Sequence, residues 1–79
     1  MSIDIQYFAI LKDQSGLSSE TLTEPYKDPA AAYQALREKH NFTLRQENLK
    51  VAINDEFANW DTPLKEGDSL VFIPPVAGG

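Results

Sequence analysis

At 79 residues, 42% of them hydrophobic and none of them cysteine, the chain has the size of one small domain whose single core must hold without disulfides. The lack of cysteine also excludes thiolate metal sites and nucleophilic thiols, and it is compatible with a reducing cytosol. A formal net charge of −5 argues against nucleic acid as a partner, since neutralising phosphates takes clustered lysine and arginine; a basic protein surface is the expected complement.

No apolar run approaches the roughly 20 residues of a membrane helix, and no charged start leads into an apolar stretch, so the expectation is a soluble, cytoplasmic protein that does not engage a membrane. Residues 3–11 alternate as a strand does. Ile3, Ile5, Tyr7 and Ala9 take the core side, and Asp4, Gln6, Phe8 and Ile10 the other. Residues 12–16 carry Asp13, Gln14, Ser15 and Gly16 and read as a connection, after which residues 17–23 form a short, polar second strand at the edge of a hairpin.

Asp28-Pro29 predicts a helix start: a carboxylate placed to cap free N–H groups, then proline where its missing N–H costs nothing. Residues 30–40 continue the helix, with Ala32, Tyr33 and Leu36 as its buried stripe and Gln34, Arg37 and Glu38 outside. Arg37, Lys39 and His40 suit the negative end of the helix dipole, and Asn41 suits a left-handed cap. After a polar connection over 43–48, residues 49–53 read as a strand. Asn54, Asp55 and Glu56 turn it into a short strand over 57–60. A further turn over 63–68 leads to a final strand over 69–73. The order predicts an α+β domain spanning 1–79: one mixed sheet, one main helix across a single face, and the first and last strands central.

The chain then reads Pro74-Pro75-Val76-Ala77-Gly78-Gly79. Paired prolines keep the backbone extended, so 74–79 is a projecting tail with a reach of roughly 20 Å. Without a Cβ, Gly78 and Gly79 can thread a narrow slot and leave the terminal carboxylate bare. Strand parity sends Leu70 and Phe72 inward and Val71 and Ile73 outward, joining Phe8 and Ile10 in an apolar patch at the root of the tail. That patch is read as a partner interface. His40, with no second histidine or cysteine to complete a site, reads as a helix-end surface residue, and no metal site is expected. Trp60 and Tyr33 read as core or rim aromatics, and Asp55-Glu56 and Lys65-Glu66 as solvated turn charges.

The terminal Pro74-Pro75-Val76-Ala77-Gly78-Gly79, with Gly67-Asp68, Pro63-Leu64, Asp61, Asn54 and Phe8-Ala9 before it, resembles the small, sulfur-carrying subunits of molybdopterin synthase over the whole chain. The resemblance implies a ubiquitin-like β-grasp fold with a free extended tail. It further implies that the Gly79 carboxylate is adenylated by an ATP-dependent activating enzyme and converted to a thiocarboxylate. The sulfur is then donated, through the large synthase subunit, to the dithiolene of the molybdenum cofactor in a heterotetramer. No cofactor would be held stably: the glycyl adenylate and thiocarboxylate are transient modifications, and the carrier contributes no catalytic side chain of its own. The expected partner contacts are thus Phe8, Ile10, Val71 and Ile73, from the parity of the strands, with Pro74, Pro75, Val76, Ala77 and Gly78 of the tail. Many relatives carry an Arg-Glu pair after the first strand where this chain has Lys12-Asp13, and lysine cannot reproduce a bidentate guanidinium contact. Two other readings share the fold and the Gly-Gly end: a carrier for another pathway, of the thiamin thiazole type, and a ubiquitin-like protein modifier.

Overall fold

The computed structural model of the chain describes residues 2–75; Met1 and residues 76–79 lie outside that description. Five strands form one mixed sheet: β1 (Ile3–Gln6), β2 (Ser19–Leu22), β3 (Lys50–Ile53), β4 (Glu56–Ala58) and β5 (Ser69–Ile73), in the order β2-β1-β5-β3-β4. β5 is central. It runs parallel to β1, with Ile5 opposite Leu70, and antiparallel to β3, with Val51 opposite Phe72. The final strand and the central place of first and last strands agree with expectation.

Helix α2 (Pro29–His40) begins and ends as its sequence dictates. Asp28 accepts a hydrogen bond from Ala31 N at 2.9 Å, and Asn41 closes the helix in the left-handed conformation at φ 58°. Its stripe of Ala32, Tyr33 and Leu36 is fully buried against Ile3, Ile5, Leu70, Phe72 and Val51 from the sheet. Tyr33 meets Phe72 edge-on at 5.0 Å, and its hydroxyl donates to the Leu44 carbonyl at 2.7 Å, which satisfies the one polar atom the ring brings into the core. Trp60 is half-buried and stacks on Phe72 at 5.8 Å, in the rim position expected of it.

Three expectations are corrected. The first strand stops at Gln6, and a second helix, α1 (Ala9–Ser15), occupies most of what read as the end of that strand and a connection. The backbone remains extended through Phe8, then turns at Ala9, whose φ is 50°. Ala9 therefore lies exposed, and Leu11 swings into the core as the only buried residue of α1. Gly16 ends the helix at φ 74°, a left-handed position that glycine takes without penalty, with its N–H on the Lys12 carbonyl. Secondly, the short strand is Glu56–Ala58, because Asn54 and Asp55 both take positive φ, at 53° and 70°, and turn the chain in two residues. Thirdly, the connection over 43–48 contains a turn of 3₁₀ helix at Gln46–Asn48.

Candidate functional site

The helices cover one face of the sheet, and register settles what the other face carries. Gln6 pairs with both Ser19 and Val71, Val71 with Ala52, and Ala52 with Phe57, so these residues form one row across the open face. One step toward the tail, Ile73 lies opposite Lys50. Val71 and Ile73 are half-buried on this face as parity requires, and Phe8, extended beyond Gln6 and 51% exposed, shares it. Ile10 does not: it belongs to α1, off the sheet, although it is still 38% exposed. Phe57 is the member that strand alternation missed. At 77% exposure it is the most open large apolar side chain among the described residues, and its row runs through Ala52, itself buried, and half-buried Val71 toward the tail root. The available signal was the Asn54-Asp55 turn, which places Phe57 opposite Ala52.

From this patch Ile73 leads into Pro74, half-buried, and Pro75, exposed. The expected contacts Val76, Ala77 and Gly78, and the expected reactive residue Gly79, lie outside the described residues. The far end of β5 is held by a polar clamp. The buried Asp68 carboxylate accepts from Asn54 Nδ2 at 2.9 Å and from Lys65 N at 2.8 Å, while Asn54 Oδ1 accepts from Ser69 N at 2.9 Å. With the Asp68 carbonyl accepting from Asp4 N at 3.0 Å, the clamp joins the β3–β4 turn, β1 and the start of β5, and so fixes the line along which Ile73 delivers the tail.

A second cluster pins the inner side. Glu20 on β2 pairs with Ile5 and faces the helices, where its Oε1 accepts from the Tyr7 hydroxyl and lies 2.6 Å from His40 Nε2, and its Oε2 lies 2.8 Å from Lys39 Nζ. Burial alone would raise the Glu20 carboxyl, but hydrogen bonds from Lys39, Tyr7 and His40 outweigh it and hold the group down at about 2. Burial, and then the bond to Glu20, push the Tyr7 phenol up. His40 is thus no surface residue: its side chain is 10% exposed and packs against Tyr7 and Phe42. Holding Tyr7 inward fixes Phe8, the next residue, outward. Glu66 is exposed in its turn, as the solvated-charge reading has it, and its carboxylate also accepts from Ser2 N at 3.0 Å. Lys12 and Asp13 are exposed on α1. Among the described residues no group of three histidine, aspartate or glutamate side chains could hold a metal ion, and no helix is long and apolar enough to cross a membrane.

The chain is similar to known proteins in sequence and in fold. The model of the ThiS family matches residues 5–79. The molybdopterin synthase sulfur carrier subunit of Escherichia coli (strain K12) is 28% identical over 80 residues, which span 98% of this chain and 99% of that one. Of solved structures, a chain in the protein-protein complex of subunits 1 and 2 of molybdopterin-converting factor from Helicobacter pylori 26695 aligns at TM-score 0.70 and 26% identity, covering 100% of both chains. SAMP1 from Haloferax volcanii aligns at TM-score 0.79 and 24% identity, again over 100% of both chains. The fold is the ubiquitin-like β-grasp.

Proposed function

The chain belongs to the ThiS family, and from that premise we propose that it is the sulfur-carrying small subunit of a molybdopterin synthase, with the Gly79 carboxylate as its reactive group. The observation that carries this reading is the placement of β5: a central strand, clamped at Asp68, that runs past an open apolar patch straight into Pro74-Pro75 and the glycine end. The 28% identity to the Escherichia coli sulfur carrier subunit, over nearly all of both chains, supports it.

In this reading a carboxylate oxygen of Gly79 attacks the α-phosphorus of ATP on an activating enzyme, and pyrophosphate leaves. The resulting acyl adenylate has a good leaving group where a free carboxylate has none. A donor persulfide then displaces AMP to give an acyl disulfide, and a thiol cleaves its S–S bond to leave the thiocarboxylate. With no cysteine in the chain, the terminal acyl group is where sulfur can ride. The carrier supplies position: Phe8, Val71, Ile73 and Phe57 dock on the large subunit or the activating enzyme, while Pro74, Pro75, Val76, Ala77 and Gly78 span to the partner's catalytic groups. Ile10, on α1, stands beside this surface instead of within it.

Intact mass of the protein from its native source tests the proposal. Replacement of one oxygen by sulfur, localised to Gly79, is the expected result, together with loss of product formation when Gly79 is deleted. Sulfur loading that survives the deletion would overturn it. Adducts joining Gly79 to lysines of other proteins, without any thiocarboxylate, would move the assignment to the modifier class. A thiocarboxylate consumed in thiazole synthesis and refused by the synthase would move it to the other carrier class.

A further inference from the structure

Resting on that docking reading and deepening it, we infer that the large synthase subunit engages this chain around the β4 edge as well as on the open sheet face, setting an acidic side chain against Lys50 and an apolar one in the groove beside Trp60. Lys50 has an unusual position. It is exposed, it lies on the open face directly opposite Ile73, the last residue of β5, and it takes part in no ion pair among the described residues. The other outward strand positions, Asp4, Gln6, Ser69, Val71, Ala52 and Phe57, with Ser19 and Thr21 on β2, include no cation.

The chain as a whole, with 12 acidic against 7 basic residues, favours a basic partner. Lys50 reverses that preference at one point next to the tail root. A charge placed inside an apolar contact is costly when it is desolvated without a counter-charge, and a matched one fixes the register of docking. Lys50 thereby becomes a specificity-determining residue: a partner slid by one residue, or one with a cation at that spot, would bury the ammonium unpaired.

Lys50 and Phe57 also line a groove of about 480 Å³ whose other walls include Leu49, Val51, Ala58 and Trp60. The groove lies at the Lys50 end of the β3–β4 pair, and β4, which among the described residues pairs with β3 alone, leaves one edge of backbone groups beside it open to an added segment. Because two residues belong to both the sheet face and the groove, a partner that covers the first is carried to the second. Trp60, the only tryptophan of the chain, reports on entry.

The test titrates the full-length carrier, labelled with 5-fluorotryptophan, against unlabelled large subunit of molybdopterin synthase. Lys50→Glu is expected to weaken binding by about tenfold or more and Lys50→Met by about threefold, with the salt dependence of wild-type binding reduced in Lys50→Met. Thermal melts of both variants should match wild type, since Lys50 is exposed. The ¹⁹F resonance of Trp60 should shift at saturation. Wild-type affinity for Lys50→Glu at low salt, or a Trp60 resonance unmoved by saturating partner, overturns the inference; if Phe57→Ala still weakens binding in that case, the docking reading itself stands. Failure of the wild-type carrier to bind the large subunit overturns both.

Discussion

The two faces of the sheet are cut from the same strands yet are finished differently. On the covered face Ile3, Ile5, Tyr7, Val51, Leu70 and Phe72 are almost wholly removed from water, and even the charged Glu20 there has each carboxylate oxygen bonded. On the open face Val71 and Ile73 are half-covered, Phe8 and Phe57 are largely bare, and Lys50 has no counter-charge among the described residues. The first set holds the fold. The second adds little to stability and keeps its apolar area for association, which is why a domain this small can spend β5 on both tasks at once.

Substitutions that exchange these roles would break the comparison. Leu36→Ala and Ile5→Ala remove packed core volume and should each cost roughly 2 to 5 kcal/mol in denaturant unfolding; a loss well below that range would put the stripe in error. Glu20→Gln weakens charge-assisted bonds to Tyr7, Lys39 and His40 and should cost about 1.5 to 3 kcal/mol at neutral pH. Its sign with pH follows from the lowered carboxyl: the stabilisation is complete above the ordinary glutamate value of 4.5 and is lost as pH falls through about 2. Melts taken down that window should show wild type losing stability faster than Glu20→Gln, and parallel curves would contradict the cluster's role. On the open face Phe57→Ala and Ile73→Ala should weaken partner binding by roughly 1 to 3 kcal/mol by calorimetry while moving unfolding much less. The smallest effect belongs to neither face: Asp28→Ala, through the lost helix cap, should cost about 1 kcal/mol.

Elements whose signals are local were legible in the sequence. Helix α2 carries its own start at Asp28-Pro29 and its own stop at Asn41, and Ser69–Ile73 alternates cleanly between a turn-rich segment and the paired prolines. Helix α1 was not legible. Its seven residues bury only Leu11, so no helical period accumulates, and Phe8 to Leu11 imitates a strand's apolar end until Ala9 turns the backbone to positive φ. That local conformation costs a residue with a Cβ about 1 to 2 kcal/mol and is sustained by Leu11 reaching the core, a tertiary effect. Phe57 escaped for a related reason: β4 is three residues long, too short to show alternation of its own, and only pairing with Ala52 tells which way the ring points. The inner bonding of His40 was hidden because its partner, Glu20, lies 20 residues away.

The parallel pairing of β1 with β5 has a mechanical consequence. β1 leaves the start of the chain beside Ser69, and β5 enters the tail at Ile73, the opposite end of the same ladder. Tension between the N-terminal residues and the tail therefore draws the two strands past each other lengthwise, so the ladder's hydrogen bonds share the load together instead of opening one at a time as in a peeled hairpin. A partner that grips the tail and moves it pulls along β5, which is laddered to β1 on one side and to β3 on the other, so the load falls on two ladders at once.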